Sequence, residues 1–575
     1  MLTTVPIENS SSRLLSLRTR IPELLIALAG LNWAFQVVWF WRYCGRNINA
    51  DAISYIGIAR HLADGNPWAS LHGYWSPLIS WLIAAVSLFG GNRTLAARLL
   101  MLPIFALCLV LMYRLTQRLW NSRLLGALVV LWFTAARGMA VFSVCFIGAD
   151  LLLTAAVLVY FILLLGRMEE PENPRKWLLL GMAHGVAFLA KAFAMPLFAL
   201  VTTVSVLVTH ARSPKKAAKA LLLAAVFPAL IWAGWGTALR QRYGVFTTGY
   251  QLRWNLMDPA IRKQAFGRNP GLLILHEMSA TYDPYMVTGA IAPESEFWHA
   301  RVWRPALVRQ IVRKEIQNVP AAVKELLVLL NPGGILALGL CVSQLTLSRQ
   351  HGPVRFRFAW IVLLTTAALV LGYCMLVFDG RYVIPVTPVL MALSIRFALP
   401  PGRTKDLPPP GVERITDAGR WQTAAGTLIV VGLIASQMYW ASPFRTMRQD
   451  FQQSLHNAEG ALRKGQARNI VAIGKGPYPE HGVGWEASLY TAYFAGARII
   501  AGLFEVPSGL SPESVVIDIG KLAPDAVLIW GAPSDSEYSA LVNALRETNP
   551  SAKVSSIQDP VKGEVGTVLI LKKST

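Results

Sequence analysis

Charge is scarce in this 575-residue chain: Asp, Glu, Lys and Arg together make up 15% of it, against about 25% in an ordinary soluble domain. With 54% of residues hydrophobic, a fold in water would lack the polar surface to cover itself, so lipid is the expected solvent. Acidic residues are scarcer than basic ones, 32 Asp and Glu against 54 Lys and Arg, which leaves a net charge of +22. That excess does not point to nucleic acid, because the basic residues cluster between apolar runs, as membrane-orientation signals do. Cysteine is sparse. Cys44, Cys108, Cys145, Cys341 and Cys374 are scattered, with no C-x-x-C pair to hold a metal or run redox chemistry, and read as small buried hydrophobes. A compact multi-carboxylate loop is also missing, and the sequence leaves a divalent ion open.

What is present in quantity is long apolar sequence. Eleven runs approach the roughly 20 residues that cross a bilayer: Ile21–Trp41, Thr94–Tyr113, Leu124–Val144, Leu151–Gly166, Trp177–Ala190, Ala192–Thr209, Leu221–Leu239, Leu326–Leu347, Phe358–Phe378, Val383–Leu399 and Trp421–Ala441. The first, preceded by Arg13, Arg18 and Arg20, continues through Trp33, Trp39 and Trp41 and reads as an uncleaved signal anchor. With the N-terminus in the cytoplasm, the short inner loops carry Arg114/Arg118/Arg123, Arg167/Arg175/Lys176, Arg212/Lys215/Lys216/Lys219, Arg349/Arg355/Arg357 and Arg403/Lys405/Arg414/Arg420. Every one is basic, as the positive-inside rule requires. Pro77–Phe89 is too short to span and would invert the later loops, so it reads as a re-entrant or interfacial helix. The expected organisation is a cytoplasmic tail over 1–20, a transmembrane domain over 21–441 with outer loops at 42–93 and 240–325, and an outer soluble domain over 442–575.

The loop 240–325 holds Tyr243, Trp254, Tyr282, Tyr285, Trp298 and Trp303 at helical spacing, which suggests amphipathic elements on the membrane surface. Beyond Ala441 the pattern changes. Asn469–Gly474, Ala497–Ala501, Asp525–Trp530 and Thr567–Leu571 read as buried strands, and Glu486–Ala495 and Asp535–Thr548 as helices, an α/β arrangement. Gly474-Lys475-Gly476 touches on a phosphate loop but lacks its third Gly and is followed by Pro477 and Pro479, so an ordinary Gly-rich turn is preferred. Pro408-Pro409-Pro410 marks a cytoplasmic connector.

Ionisable residues at membrane depth are expensive and are functional candidates by default. Four fall on the same outer side. Asp51 opens Asp51-Ala-Ile-Ser-Tyr55, and Asp150 sits in Gly148-Ala-Asp150-Leu-Leu-Leu; either could instead cap a helix. Lys191, between two apolar runs, could snorkel. Arg381 could form only a local turn pair with Asp379. Together, two carboxylates and two cations suit transfer of a sugar from a polyprenyl-phosphate donor: the cations grip a phosphate, and a carboxylate deprotonates the incoming hydroxyl or amine. The alternative is a transporter or flippase for a lipid-linked or anionic solute, although no paired, interrupted-helix halves are visible.

Asp51-x-x-x-Tyr55, Gly73-Tyr-Trp-Ser-Pro77-Leu, Asp150-Leu-Leu-Leu, the Lys191 turn and Arg381-Tyr-x-x-Pro385 occur in an order that resembles the GT-C glycosyltransferases, nearest the protein O-mannosyltransferase and lipid A aminoarabinose transferase group. The resemblance covers roughly residues 20–400. It implies an inverting, metal-free transfer on the outer face of a bacterial inner membrane, from a lipid-phosphate-linked sugar to a cell-envelope glycan, lipid or protein. Asp51 would match the first-loop acid that acts as general base or orients the acceptor, and Asp150 the second outer-loop acid. Lys191 and Arg381 would meet the donor phosphate, and Tyr55, His72, Trp75 and Tyr382 would bind substrate. The chain departs from the aminoarabinose transferases at Trp75-Ser76-Pro77, where they carry Lys before Pro-Pro, which argues against the same lipid A substrate.

Overall fold

The computed structural model describes residues 9–44, 48–136, 139–256, 273–274, 305–347, 353–375, 378–398, 432, 444–474, 483–503, 511–531, 536–559 and 563–571. Five of its helices are long and apolar enough to cross a membrane: Arg20–Trp41, Arg93–Trp120, Ala149–Glu169, Pro214–Tyr243 and Val354–Cys374. A sixth is reached if Leu307–Asn331 and Gly333–Leu340, bent by 95°, count as one span. The bend falls at Asn331, whose φ of 55° breaks the helix ahead of Pro332.

Several of the eleven expected spans are shorter than the apolar run suggested. Leu124–Val144 divides into the helix Arg123–Ala135 and the single turn Met139–Phe142. Val383–Leu399 holds the helix Thr387–Ser394, flanked by 3-10 turns. Ala194–Thr209 is an apolar helix of 16 residues. The run Pro77–Phe89 forms the ten-residue helix Leu78–Ser87, too short to span. The run Trp421–Ala441 apart from Gly432, the triple proline, and Tyr282, Tyr285, Trp298 and Trp303 lie outside the described residues.

Why the bundle is organised around Ala149–Glu169 follows from its sequence. The helix carries no charge between Asp150 and Arg167 and is buried on almost every side, as expected of a helix that is apolar all round. Its neighbour Pro174–Ala190, and Pro214–Tyr243 packed on that helix in turn, begin with Pro at the first helical position, where the missing N–H costs nothing. The first helix is fastened to the hairpin that precedes Asp150 by polar bonds: Asn32 Nδ2 and Gln36 Nε2 donate to the Thr134 carbonyl, and Trp33 Nε1 donates to Ser143 Oγ. Cys108 and Cys374 are buried free thiols as expected. Cys145 is not, being disulfide-bonded, so the reading of every cysteine as a buried hydrophobe is corrected there.

The C-terminal region builds a six-stranded sheet ordered β1-β3-β2-β4-β6-β5, from Leu273–Ile274, Asn469–Gly474, Arg498–Leu503, Ala526–Trp530, Lys553–Asp559 and Gly563–Ile570 (β1 to β6). Strands β2, β3 and β4 run parallel, and β1, β5 and β6 pair antiparallel. The four expected strands and both expected helices are present; β5 and the helices Phe444–Lys464 and Pro512–Leu522 are additional. Gly474 has a φ of 116°, and a Cβ there would sit 1.9 Å from the Trp530 carbonyl oxygen. The glycine is thus demanded by the close strand crossing; Lys475 and Gly476 lie outside the described residues. The helix Val483–Ala495 packs on the helix Ala50–Ala63, and the Tyr493 hydroxyl meets Thr94 Oγ1 at 2.5 Å.

Candidate active site

Asp51 and Asp150 occupy equivalent places, each the second residue of a helix: Ala50–Ala63 and Ala149–Glu169. The cap positions fall to Asn49 and Gly148, so neither carboxylate is consumed as an N-cap. Both lie instead in first turns, where free N–H groups and the helix dipole favour negative charge. Lys191 is the C-cap of Pro174–Ala190, with its N–H bonded to the Ala187 carbonyl, at the helix end that favours a cation. Arg381 is set in a 3-10 turn whose N-cap, Asp379, accepts the Arg381 N–H at 3.1 Å.

These four side chains meet. Lys191 Nζ lies 2.5 Å from Asp150 Oδ1, and Arg381 NH1 lies 2.6 Å from Asp51 Oδ2. The Arg381 Nε is 3.1 Å from Asp379 Oδ2 and 3.9 Å from Asp150 Oδ2. The local Asp379–Arg381 pair therefore exists, but Arg381 also bridges the two candidate acids. Lys191 does not snorkel; its side chain is 12% exposed and that of Asp150 is 5%. Burial opposes the charge of Arg381, but Asp51, Asp150 and Asp379 outweigh it and hold its pKa well above the ordinary guanidinium value.

Aromatic rings wall the ion cluster. Lys191 Nζ stands 4.5 Å from the Tyr382 ring centre and 5.0 Å from that of Tyr373, while the Arg381 guanidinium is 4.8 Å from Phe146, contacts that stabilise a cation through the ring quadrupole. Tyr373 and Tyr382 stack at 4.3 Å. Tyr55 and Trp75 meet edge to face at 5.2 Å. Burial, then the Asp51 and Asp150 charges, push the Tyr55 hydroxyl well above the usual tyrosine pKa, so it stays protonated. The Tyr373 hydroxyl is buried without a hydrogen-bond partner among the described residues. Sequence reasoning passed over Tyr373, because an aromatic at the end of a span reads as an interface anchor.

His72, expected to line the pocket, is turned into its own loop. It is 1% exposed, and its Nδ1 accepts the N–H groups of Tyr74 and Trp75 at 3.0 and 3.2 Å. The same loop is fixed from outside: the Tyr250 N–H donates to the Gly73 carbonyl at 2.8 Å, and the Ala192 N–H donates to Ser76 Oγ at 2.9 Å. A Cβ on Gly73 would come within 2.5 Å of the Tyr250 ring, so this approach needs glycine. His72 thus shapes the loop that carries Trp75, and Ser76 ties that loop to the Lys191 turn. A groove of about 510 Å³, lined by His184, Met195, Thr202, Ala224, Pro228 and Trp232, opens beside that turn. Asp51 and Asp150 are already matched to Arg381 and Lys191, and no group of three or more His, Cys, Asp or Glu among the described residues is arranged to hold a metal ion.

Residues 74–232 match the family model of dolichyl-phosphate-mannose-protein mannosyltransferases. Sequence comparison finds no curated relative of the chain. By structure it is similar to ArnT from Cupriavidus metallidurans, solved bound to undecaprenyl phosphate, at 13% identity and a TM-score of 0.54, over 96% of this chain and 98% of that one. It is also similar to the oligosaccharyltransferase of Archaeoglobus fulgidus, solved in complex with zinc and sulfate, at 11% identity and a TM-score of 0.52, over 94% of this chain and 72% of that one. At such identities the likeness speaks for the fold. By that likeness the chain shares the fold of these two proteins, and the family match covers residues 74–232 within it.

Proposed function

We propose that the protein transfers a sugar from a polyprenyl-phosphate donor to a cell-envelope acceptor on the outer side of a bacterial inner membrane. One observation carries this reading. Two acids and two cations from four separate chain segments converge in a nearly buried cluster, an arrangement costly to maintain without a use for the charges. Asp51 is the candidate general base. It takes the proton of the acceptor hydroxyl or amine as that atom attacks the anomeric carbon. The carbon–oxygen bond to phosphate breaks on the opposite face, so the sugar is inverted and the electron pair leaves on the polyprenyl phosphate. Arg381 and Lys191 receive that phosphate, Arg381 through its two-pronged guanidinium. Asp150 holds Lys191 in place, and Tyr55, Trp75 and Tyr382 border the sugar. The groove beside the Lys191 turn suits an isoprenoid tail. The outer location rests on the basic inner loops and on the Cys145 disulfide in the turn before Asp150, a bond that persists in oxidising compartments.

The test uses purified protein in nanodiscs with a panel of radiolabelled polyprenyl-phosphate sugars and acceptors, comparing wild type with Asp51→Asn. Turnover of one donor that falls by roughly 10²–10⁴-fold in the folded variant is the expected result for loss of a general base. If wild type binds labelled lipid but turns over no donor, the transporter reading replaces this one.

A further inference from the structure

Asn49 immediately precedes the Asp51 helix, where asparagine is among the best N-caps. It does not serve as one, since its side chain makes no bond to the helix it begins. Its carboxamide reaches instead to residue 147. Asn49 Nδ2 donates to the Ile147 carbonyl at 3.0 Å, and the Ile147 N–H donates to Asn49 Oδ1 at 2.9 Å. This two-point clasp copies the pairing of two peptide groups and fixes both distance and orientation. Ile147 is fully buried, and Gly148, the cap of the Asp150 helix, follows it directly. The clasp therefore joins the starts of two helices, one carrying Asp51 two residues on and the other carrying Asp150 three residues on. Arg381 then spans both carboxylates, at 2.6 and 3.9 Å.

We infer that Asn49 is a positioning residue: it forgoes capping its own helix in order to hold Asp51 in register with Asp150, and so with Arg381 and Lys191. The inference rests on Asp51 acting as the base. Its energetic logic is that a reacting group displaced by about 1 Å can cost on the order of 10²-fold in rate while leaving substrate binding nearly intact.

Asn49→Ser and Asn49→Asp separate the clasp from the cap. Both side chains cap helices well. Serine is too short to reach Ile147, and aspartate keeps the acceptor but sets a second oxygen against the Ile147 carbonyl. The expected result for each is a kcat lowered by about 10- to 100-fold, with the KM for donor within about twofold of wild type and the unfolding temperature maintained. A kcat within about twofold of wild type in Asn49→Ser overturns the inference. So does a fall in unfolding temperature with full activity in the folded fraction, which would make Asn49 merely structural. Asp51→Asn in the same assay keeps the two claims apart: if that variant retains wild-type turnover, the base assignment fails, whatever Asn49 does.

Discussion

The two ends of the helical bundle use charge in opposite ways. At one end Asp51, Asp150, Lys191 and Arg381 lie within a single cluster, with side chains 5–20% exposed. At the other, Arg118 pairs with Glu169, Lys176 with Glu170 and Lys216 with Glu172, with side chains 22–68% exposed. The second set are three pairs with solvent-exposed partners, where an ion pair contributes little. The first set come from distant segments, share partners and are shielded from water. Burial thus divides similar residue types at the two ends.

The sharpest way to break this contrast is to delete a cation at each end. Arg381→Met leaves three carboxylates facing one another, and unfolding in detergent should show a loss of about 3–5 kcal/mol. Arg118→Met should cost at most about 1 kcal/mol, so equal losses would abolish the distinction. Next in size is Tyr373→Phe. The ring keeps its stack on Tyr382 and its place under Lys191, while the unpartnered hydroxyl is lost. Affinity for undecaprenyl phosphate, measured by titration, should fall about tenfold, the effect of one hydrogen bond to a charged group; unchanged affinity would remove Tyr373 from the site.

The smallest effect is one of pH. Burial, and then the charge of Arg242, lower the His72 pKa to about 3, from about 6.5 in the unfolded chain. Between these values the unfolded chain binds the additional proton, so stability falls as pH drops from about 6.5 toward 3 and is level above that window. Wild type should lose unfolding temperature between about pH 7.5 and about pH 5. His72→Asn, whose side-chain oxygen can accept the same N–H groups without titrating, should lose less, and identical losses would show that His72 plays no part.

The members of the candidate site stood out in the sequence because charges beside apolar runs are conspicuous. What Asp51, Asp150, Lys191 and Arg381 do to one another was not, since pairing between distant segments leaves no trace in local sequence. Asn49 was hidden for a different reason: an asparagine ahead of a helix already has a sufficient local explanation in capping. His72 drew notice as a histidine between aromatics, and nothing in the sequence signalled that its Nδ1 accepts two backbone N–H groups. The strands Asn469–Gly474 and Ala526–Trp530 announced themselves as short apolar runs. Lys553–Asp559, with its Ser, Gln and Asp, lies at the sheet edge and carries no such signal. Membrane helices such as Arg93–Trp120 were plain, but the break between Ala135 and Met139 fell inside continuous apolar sequence, where hydropathy cannot see it.

Strand β1 has a consequence for how the chain is made. Leu273 and Ile274 pair with Gly502 and Ala501 of β3, yet the ribosome finishes them long before β3 exists. At roughly 5–20 residues per second, the pair must wait on the order of ten to fifty seconds for its partner, while several later helices enter the membrane. The pairing of β1 can thus form only once β3 has been made. A nascent chain stalled before β3 would expose this segment to protease, and release of the full chain would protect it.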